Sequence, residues 1–299
     1  MRGILVENRI AGEGKVKVGK LVLCADDYAI SEGVCDAVED LIALGRIAAA
    51  GAMTVFPQWR TRAAGLKRAA AAAGVEVGVH LTLTDHEALV AASPLLRDGE
   101  FPHLDPLLAR SLAHALPGRA VAAEIAAQLD AFEDAFGAPP AFVDGHQHVH
   151  VFPQIRDLLV AEVARRYGTA CWMRSTTEPV SAILARPVAR FKALVLNALG
   201  TGLDRLLEKA GIARNDSFRG AYGFDRPYPL VFPRFLADAG RHPVRPLIFF
   251  HPGNVDATLR RRSTLADARA GEYAYARSDA FLADCKRADR WVAAFRSIS

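Results

Sequence analysis

The stretch Phe142-Val143-Asp144-Gly145-His146-Gln147-His148-Val149-His150 follows an apolar run with several groups that can bind a metal. In an extended strand, every second side chain points to the same face of the sheet. If the stretch stays extended, one face carries Asp144, His146, His148 and His150. Such groups placed side by side are unfavourable unless a metal or a substrate pairs with them. We therefore expect a metal site here rather than a polar strand edge or a solvated loop.

Three other apolar runs also end in residues that bind metals or transfer protons. They are Ala25-Asp26-Asp27, Gly78-Val79-His80 and Phe250-His251-Pro252. A lone His80 or His251 would more often be a structural histidine. In parallel α/β barrels, however, the active site lies at the C-terminal ends of the strands. We therefore expect all four stretches to meet at one mouth.

Predicted strands alternate with predicted helices along the chain, which indicates a parallel sheet. The strand runs are continuously apolar rather than alternating, so we expect both faces of the sheet to be covered. The predicted strands include 20–25, 47–55, 75–83, 171–174, 246–250 and a last one over 291–298. No repeat or linker divides the chain. We predict an α/β fold, a single deformed, TIM-like (β/α) barrel with mostly parallel strands.

The predicted barrel domain covers residues 20–299 and follows an N-terminal tail of residues 1–19. Two segments depart from the alternation of strands and helices. One is a long loop over 84–106, rich in proline and glycine, and loops of this length often form lids or binding segments. The other is a mostly helical insert over 176–216.

The composition of the 299-residue chain is that of an ordinary globular protein, with 51% hydrophobic residues and a formal net charge of +4. Its densest basic run, Arg260-Arg261-Arg262, lies between Asp256 and Asp267, so we expect no nucleic-acid partner. The four cysteines form no CxxC pair. No apolar run approaches the roughly 18 residues of a membrane span, and the N-terminus lacks a signal-peptide pattern. We expect a cytoplasmic protein with reduced thiols.

Asp27, His80 and one or more of the later histidines form a mixed nitrogen and oxygen ligand set. Two histidines and a carboxylate with open coordination positions suit Zn²⁺, and Fe²⁺, Co²⁺ or Mn²⁺ could also bind, whereas Mg²⁺ is less expected with imidazole ligands. Spacing does not choose among the three histidines of the 142–150 stretch. Of the adjacent carboxylates, one can bind the metal while the other acts as a base. His251 suits proton donation at neutral pH.

At these residues the chain resembles the YdjC-like carbohydrate deacetylases, a family that includes chitooligosaccharide deacetylases and a hopanoid-associated deacetylase. The matching blocks stand in the same order and read Cys24–Ser31 (CADDYAIS), Val77–Leu83 (VGVHLTL), Asp144–Ile155 (DGHQHVHVFPQI) and Phe250–Gly253 (FHPG). The resemblance extends over residues 20–298. One departure is Tyr28-Ala29, where the family usually has Phe-Gly after the two aspartates.

The resemblance implies a metal-dependent hydrolase that removes the N-acetyl group from an amino sugar and releases acetate. The sugar would be a chitooligosaccharide or an N-acetylglucosaminyl glycoside or lipid. One divalent ion, Mg²⁺ or Zn²⁺, would be bound by Asp27, His80 and His146, with Asp26 as the base and His251 as the acid. The remaining candidates, which would support the ligands or face the substrate, are Asp144 (orienting a ligand histidine), His148, His150 and Arg174.

Two other functions stay open. A metal-dependent phosphoesterase or other amidohydrolase would need a further residue that bridges a second metal. A catalytically inactive saccharide-binding protein would bind sugar without releasing acetate. The insert over 176–216 would suit a lipid-linked substrate, although a homodimer interface is the simpler interpretation.

Overall fold

The computed structural model describes residues 19–185, 190–239 and 245–298. The predicted tail therefore lies outside the described residues except for Gly19, which begins the first strand. The strands are β1 (Gly19–Tyr28), β2 (Ala49–Ala52), β3 (Glu76–Leu81), β4 (Phe142–Gly145), β5 (Trp172–Met173), β6 (Ser217–Arg219), β7 (Pro246–Phe250) and β8 (Arg290–Val292).

Helices follow most of the strands. They are α1 (Glu32–Ala43), α2 (Pro57–Ala73), α3 (Leu104–Leu112), α4 (Gly118–Phe136), α5 (Ile155–Tyr167), α6 (Val180–Ala185), α7 (Arg190–Ala210), α8 (Tyr228–Ala239), α9 (Ala257–Arg262), α10 (Ala266–Arg277) and α11 (Asp279–Arg287). The predicted helical insert over 176–216 contains α6 and α7. Within the described ranges, no helix is both long enough and apolar enough to cross a bilayer.

The strands form one parallel sheet in the order β5-β4-β3-β2-β1-β7-β6, and β8 pairs with the first residues of β1. The sheet curls until its two ends meet, because the N–H of Met173 donates to the carbonyl of Ala213 at 3.0 Å. Asn215 strengthens this closure, since its side chain accepts from the N–H of Ser175 and donates to the Ser175 carbonyl. The predicted α/β, TIM-like barrel is confirmed.

The helices cover the outside of the sheet through apolar faces that are visible in the sequence. In α1, the buried positions recur at helical spacing, and the side chain of Ser31 caps the helix by accepting from the N–H of Val34. Farther along the sheet, Trp59 of α2 stacks on Phe132 of α4 with ring centroids 4.9 Å apart. The helical layer thus holds the strands from outside and leaves their C-terminal ends open.

Among the predicted strands that end earlier than expected, two end earliest relative to the prediction. The histidine stretch does not stay extended: β4 ends at Gly145, and residues 146–151 form a 3₁₀ turn in which Gln147 and His148 have φ angles of 51° and 62°. The strand predicted over 291–298 is also too long, because β8 stops at Val292. Beyond it, Phe295 turns inward and stacks on Trp172 with ring centroids 4.4 Å apart.

Candidate active site

The C-terminal ends of the strands surround a cavity of about 820 Å³. Six of the predicted site residues line it, namely Asp26, Asp27, His80, His146, His148 and His251. Of the other three, Asp144 and Arg174 lie directly beneath these residues as ion-pair partners, and His150 is fully buried. The structure therefore brings the four separate stretches of the sequence together at one end of the barrel.

Both aspartates at the end of β1 reach this cavity because the strand is irregular there. An extended strand would point neighbouring side chains to opposite faces. The pairing of β1 with β2 shifts register between Ala25 and Tyr28, and Asp27 adopts a left-handed φ of 65°. Ala29 also has a positive φ, 79°, at the position where the resembling family usually has glycine. Backbone strain of this kind clusters at functional sites.

Three donor atoms converge on one point beside this turn. Oδ1 of Asp27 lies 3.1 Å from Nε2 of His80 and 2.9 Å from Nδ1 of His146. One carboxylate and two imidazoles with open cavity beside them suit a divalent cation. Of the three histidines in the 142–150 stretch, only His146 contributes to this group.

His80 is held in the orientation that such a site needs. Its Nδ1 lies 2.6 Å from Oδ1 of Asp144, which leaves Nε2 directed at Asp27. Burial opposes a charge on His80, but the carboxylates of Asp144 and Asp26 outweigh burial and raise its pKa to about 10. A buried imidazole that holds a proton so strongly indicates a surplus of negative charge, which a metal cation would also neutralise.

Asp26 stands apart from this group of three. Its two oxygens accept hydrogen bonds at 2.7 and 2.6 Å from the fully buried guanidinium of Arg174. The same guanidinium lies 2.6 Å from Oδ2 of Asp144. Burial raises the pKa of Asp26 although Arg174 opposes this. Asp26 is thus a fixed carboxylate at the cavity wall with enhanced affinity for a proton.

His148 and His150 point away from the predicted ligands because the 3₁₀ turn redirects them. His148 lines the cavity and packs edge-on against the rings of Phe218 and Phe249, with centroids 5.3 and 5.1 Å away. His150 is fully buried, and its Nε2 donates to the carbonyl of Arg174 at 3.0 Å. His150 therefore supports the backbone that carries Arg174, and His148 faces the cavity.

His251 reaches the cavity, and no carboxylate of the described residues pairs with its ring. Burial lowers the pKa of His251 well below its usual value, and Nδ1 is buried without a hydrogen-bond partner. The backbone N–H of His251 donates to the carboxylate of Glu272. The expected proton donor is therefore neutral in this arrangement, and it would have to gain a proton before it can give one.

Sequence reasoning missed two residues of α10. Nη2 of Arg269 lies 2.5 Å from Oδ2 of Asp27, and Glu272 accepts from the hydroxyl of Tyr222 at 2.6 Å as well as from His251. Burial raises the pKa of Glu272 to about 7. An Arg and a Glu three residues apart on a helix usually indicate a surface ion pair. No local pattern in the sequence shows that Arg269 and Glu272 are instead buried and contact the site.

His86 is a third residue that the sequence did not single out. It follows β3 in the predicted loop, lines the cavity and lies with its ring centroid 5.6 Å from that of His146. Burial is the main reason why its pKa falls to about 4. His86 lies in a loop of mixed composition, so neither a periodic pattern nor a motif in the sequence pointed to a functional role for it.

Comparison with known proteins is consistent with this geometry. Residues 20–287 match the profile of a family described as YdjC-like protein. The chain is 33% identical over 150 residues to the chitooligosaccharide deacetylase of Escherichia fergusonii, a match that covers 50% of this chain and 57% of that protein. It is 32% identical over 146 residues to the chitooligosaccharide deacetylase of Salmonella typhimurium, covering 49% of this chain and 56% of that protein. The match thus spans a little over half the length of these relatives.

A solved structure from Enterococcus faecalis V583, described as a candidate cellobiose-phosphate cleavage protein, has the same fold. Its TM-score is 0.69 at 19% sequence identity, and the superposition covers 94% of this chain and 99% of that one. At this level of identity, the similarity establishes the fold alone. Any conclusion about the chemistry rests on the side chains described above.

Proposed function

Because the chain belongs to the YdjC-like protein family, we propose that it is a metal-dependent carbohydrate N-deacetylase, a hydrolase that cleaves the amide bond of an N-acetylated amino sugar and releases acetate. One observation carries the proposal. Two adjacent carboxylates are held apart, with Asp27 among the imidazoles of His80 and His146, and Asp26 fixed by Arg174 at the cavity wall. This separation supports the assignment of Asp27 as a metal ligand and of Asp26 as a general base.

The residues of the chain can divide the reaction between them. A divalent cation held by Asp27, His80 and His146, Mg²⁺ or Zn²⁺, would stabilise developing negative charge and lower the pKa of water. Asp26 takes a proton from the water that attacks the acetyl carbonyl carbon. The C–N bond then breaks and His251 gives a proton to the leaving nitrogen. Since burial disfavours a charged His251, we expect it to take this proton from solvent only as negative charge develops on the substrate, and Asp26 returns its own proton to solvent after acetate leaves.

The substrate class follows from the relatives and from the cavity walls. The relatives named above are chitooligosaccharide deacetylases, which supports an N-acetylglucosamine unit at the reacting position. Part of the cavity wall comes from α7, whose lining residues are Lys192 and the apolar Phe191, Val195, Leu196 and Leu199. Phe191 is 81% exposed beside the cavity. An N-acetylglucosaminyl glycoside or lipid with an apolar portion would contact this wall.

The phosphoesterase alternative has less support from the described residues. It would need a second metal, and the second group of ligand-type side chains comprises Cys24, Asp26 and Asp144. The guanidinium of Arg174 occupies this group, lying 3.0 Å from Sγ of Cys24 and 2.6 Å from each of the two carboxylates. A second cation there would have to displace a fully buried arginine.

We expect Asp26→Asn to lower the turnover number by roughly 10²- to 10⁴-fold, because the base is lost, while metal binding is retained. Acetate release should be measured with chitooligosaccharides, N-acetylglucosamine derivatives and N-acetylglucosaminyl lipids, and metal content by elemental analysis. Wild-type acetate release by the variant would show that Asp26 is not the base. Saccharide binding by the wild type without acetate release, with several divalent metals, would instead support a saccharide-binding protein.

A further inference from the structure

His86 is held next to the candidate metal group, and no described residue forms a hydrogen bond with its ring nitrogens. The residue is only 7% exposed, and its imidazole packs edge-on against Phe56 with ring centroids 4.9 Å apart. It lines the same cavity as Asp27 and His146. The side chain is therefore fixed between an aromatic wall and the place where we expect the acetamido group.

The loop that carries His86 is fixed at this residue and just after it. The carbonyl of His86 accepts from the N–H of Phe101 at 2.9 Å. The buried carboxylate of Glu124 accepts from the N–H groups of Leu89 and Val90 at 3.1 and 2.9 Å. A side chain on a loop held in this way is already positioned before a ligand arrives, which reduces the entropic cost of binding.

The imidazole nevertheless makes no hydrogen bond within the ranges that the structure describes. Because His86 lines the cavity and keeps a small exposed fraction, its ring nitrogens are within reach of a ligand in the cavity. Since polar groups in such surroundings are nearly always hydrogen-bonded, their partner must come from the contents of the cavity.

The chemistry of the His86 imidazole indicates which kind of ligand group binds it. His86 lies outside the group of side chains whose donor atoms converge for a metal. A neutral imidazole offers one donor and one acceptor, which a hydroxyl group complements on both sides. An anionic ligand would bind more strongly to a charged arginine than to a neutral imidazole, as the carboxylates of this site do. A neutral hydroxyl group is therefore a better match for His86 than an anion.

From these contacts, and resting on the proposed function, we infer that His86 binds a hydroxyl group of the sugar ring that carries the acetamido group. It is a specificity-determining residue for this hydroxyl. Apolar residues of α7 line the same cavity, so they would contact the apolar face of a pyranose ring whose polar edge binds His86.

The test is a comparison of His86→Phe with the wild type on an N-acetylglucosamine derivative that the wild type hydrolyses and on its 3-, 4- and 6-deoxy analogues. Phenylalanine keeps the ring volume and the contact with Phe56 but removes both nitrogens. We expect the wild type to lose roughly 10- to 100-fold in kcat/KM on one deoxy analogue. The variant should lose a similar factor on the parent sugar and show no further loss on that analogue, with its metal content unchanged.

The matched control is His114→Asn, a histidine substitution on an exposed turn after α3 that does not line the cavity, and it should leave all these ratios unchanged. The inference is wrong if His86→Phe discriminates among the analogues as the wild type does, or if the variant loses its metal, which would make His86 a ligand. If the wild type releases no acetate at all, the proposed function fails. The same comparison by calorimetric sugar binding to the metal-loaded proteins then tests His86 separately.

Discussion

Asp26 and Asp27 are neighbours in β1, yet both face the same cavity. Regular strand geometry would separate them, and the left-handed backbone of Asp27 removes that separation. Each carboxylate then finds a different cation, Arg174 for Asp26 and Arg269 for Asp27. The two identical side chains therefore differ in pKa. Burial raises the pKa of Asp26 despite Arg174. Arg269 and the two histidines hold the pKa of Asp27 well below its usual value despite burial.

The pKa of His80 predicts how metal binding depends on pH. In the metal-free protein this pKa is about 10, so His80 is protonated at neutral pH and a cation must displace its proton. Affinity for Zn²⁺ or Mg²⁺ should therefore rise with pH, by up to about tenfold per unit between pH 6 and 8. Isothermal titration calorimetry in buffers of different ionisation enthalpy should detect about one proton released per metal bound. A pH-independent affinity without proton release would exclude this assignment.

Asp144 is expected to control metal affinity without contacting the metal. It holds Nδ1 of His80, and partners of this kind typically contribute 10- to 100-fold to affinity. Asp144→Asn should therefore weaken metal binding by roughly that factor, whereas His80→Ala should abolish it. Asp130→Asn, a carboxylate change on the exposed face of α4, is the matched control. Metal affinity equal to that of the wild type in Asp144→Asn would contradict the role given to this hydrogen bond.

At the scale of elements, the turn after β4 decides which histidines are available. The 3₁₀ turn over 146–151 breaks the period of two and sends His148 towards Phe218 and Phe249, and His150 towards Arg174. Helix α10 acts in the same way from the other side, because one face of it carries both Arg269 and Glu272 to the strand ends. The site therefore depends on the turn that follows β4 and on the face that α10 turns towards the strand ends.

The junction between β5 and β6 is a second element-scale feature with a measurable consequence. The side chain of Asn215 is fully buried and bonds to the N–H of Ser175 and to the carbonyls of Ser175 and Ser217. Asn215→Ala would leave these groups without a partner, which should lower the free energy of unfolding by about 3 kcal/mol. Urea unfolding measures this, with Thr61→Ala on the exposed face of α2 as the control. A loss no larger than that of the control would mean that the backbone alone closes the barrel.

Over the whole molecule, the two ends of the barrel have different tasks. The C-terminal ends of the strands carry the cavity. The opposite end is closed by apolar stacking, in which Trp172 lies against both Phe142 and Phe295 with centroids 4.5 and 4.4 Å apart. Phe295, which completes this stack, lies in the turn after β8. This turn therefore closes the barrel beneath β4 and β5, which come much earlier in the sequence.

Phe295→Ala should separate stability from chemistry. Removing a buried phenylalanine costs about 3–5 kcal/mol in the free energy of unfolding. Since Phe295 lies at the end opposite the cavity, kcat/KM for acetate release by the folded variant should stay within about twofold of the wild type. Leu44→Ala, a change at a leucine that is 44% exposed, is the control for stability. A large fall in kcat/KM at temperatures where the variant is folded would show that the two ends are coupled.

The sequence by itself determined the alternation of strands and helices, the barrel class and the strand ends at which polar side chains collect. These features follow from local periodicity and from apolar runs that end in Asp or His, and both are properties of neighbouring residues. The tertiary structure decided how these stretches meet: how neighbouring Asp26 and Asp27 both reach one cavity, why only His146 of its stretch approaches Asp27 and His80, as the resemblance implied, and that Arg269, Glu272 and His86 belong to the site. These depend on backbone turns with positive φ and on contacts between residues as far apart as Asp27 and Arg269, which no local pattern records.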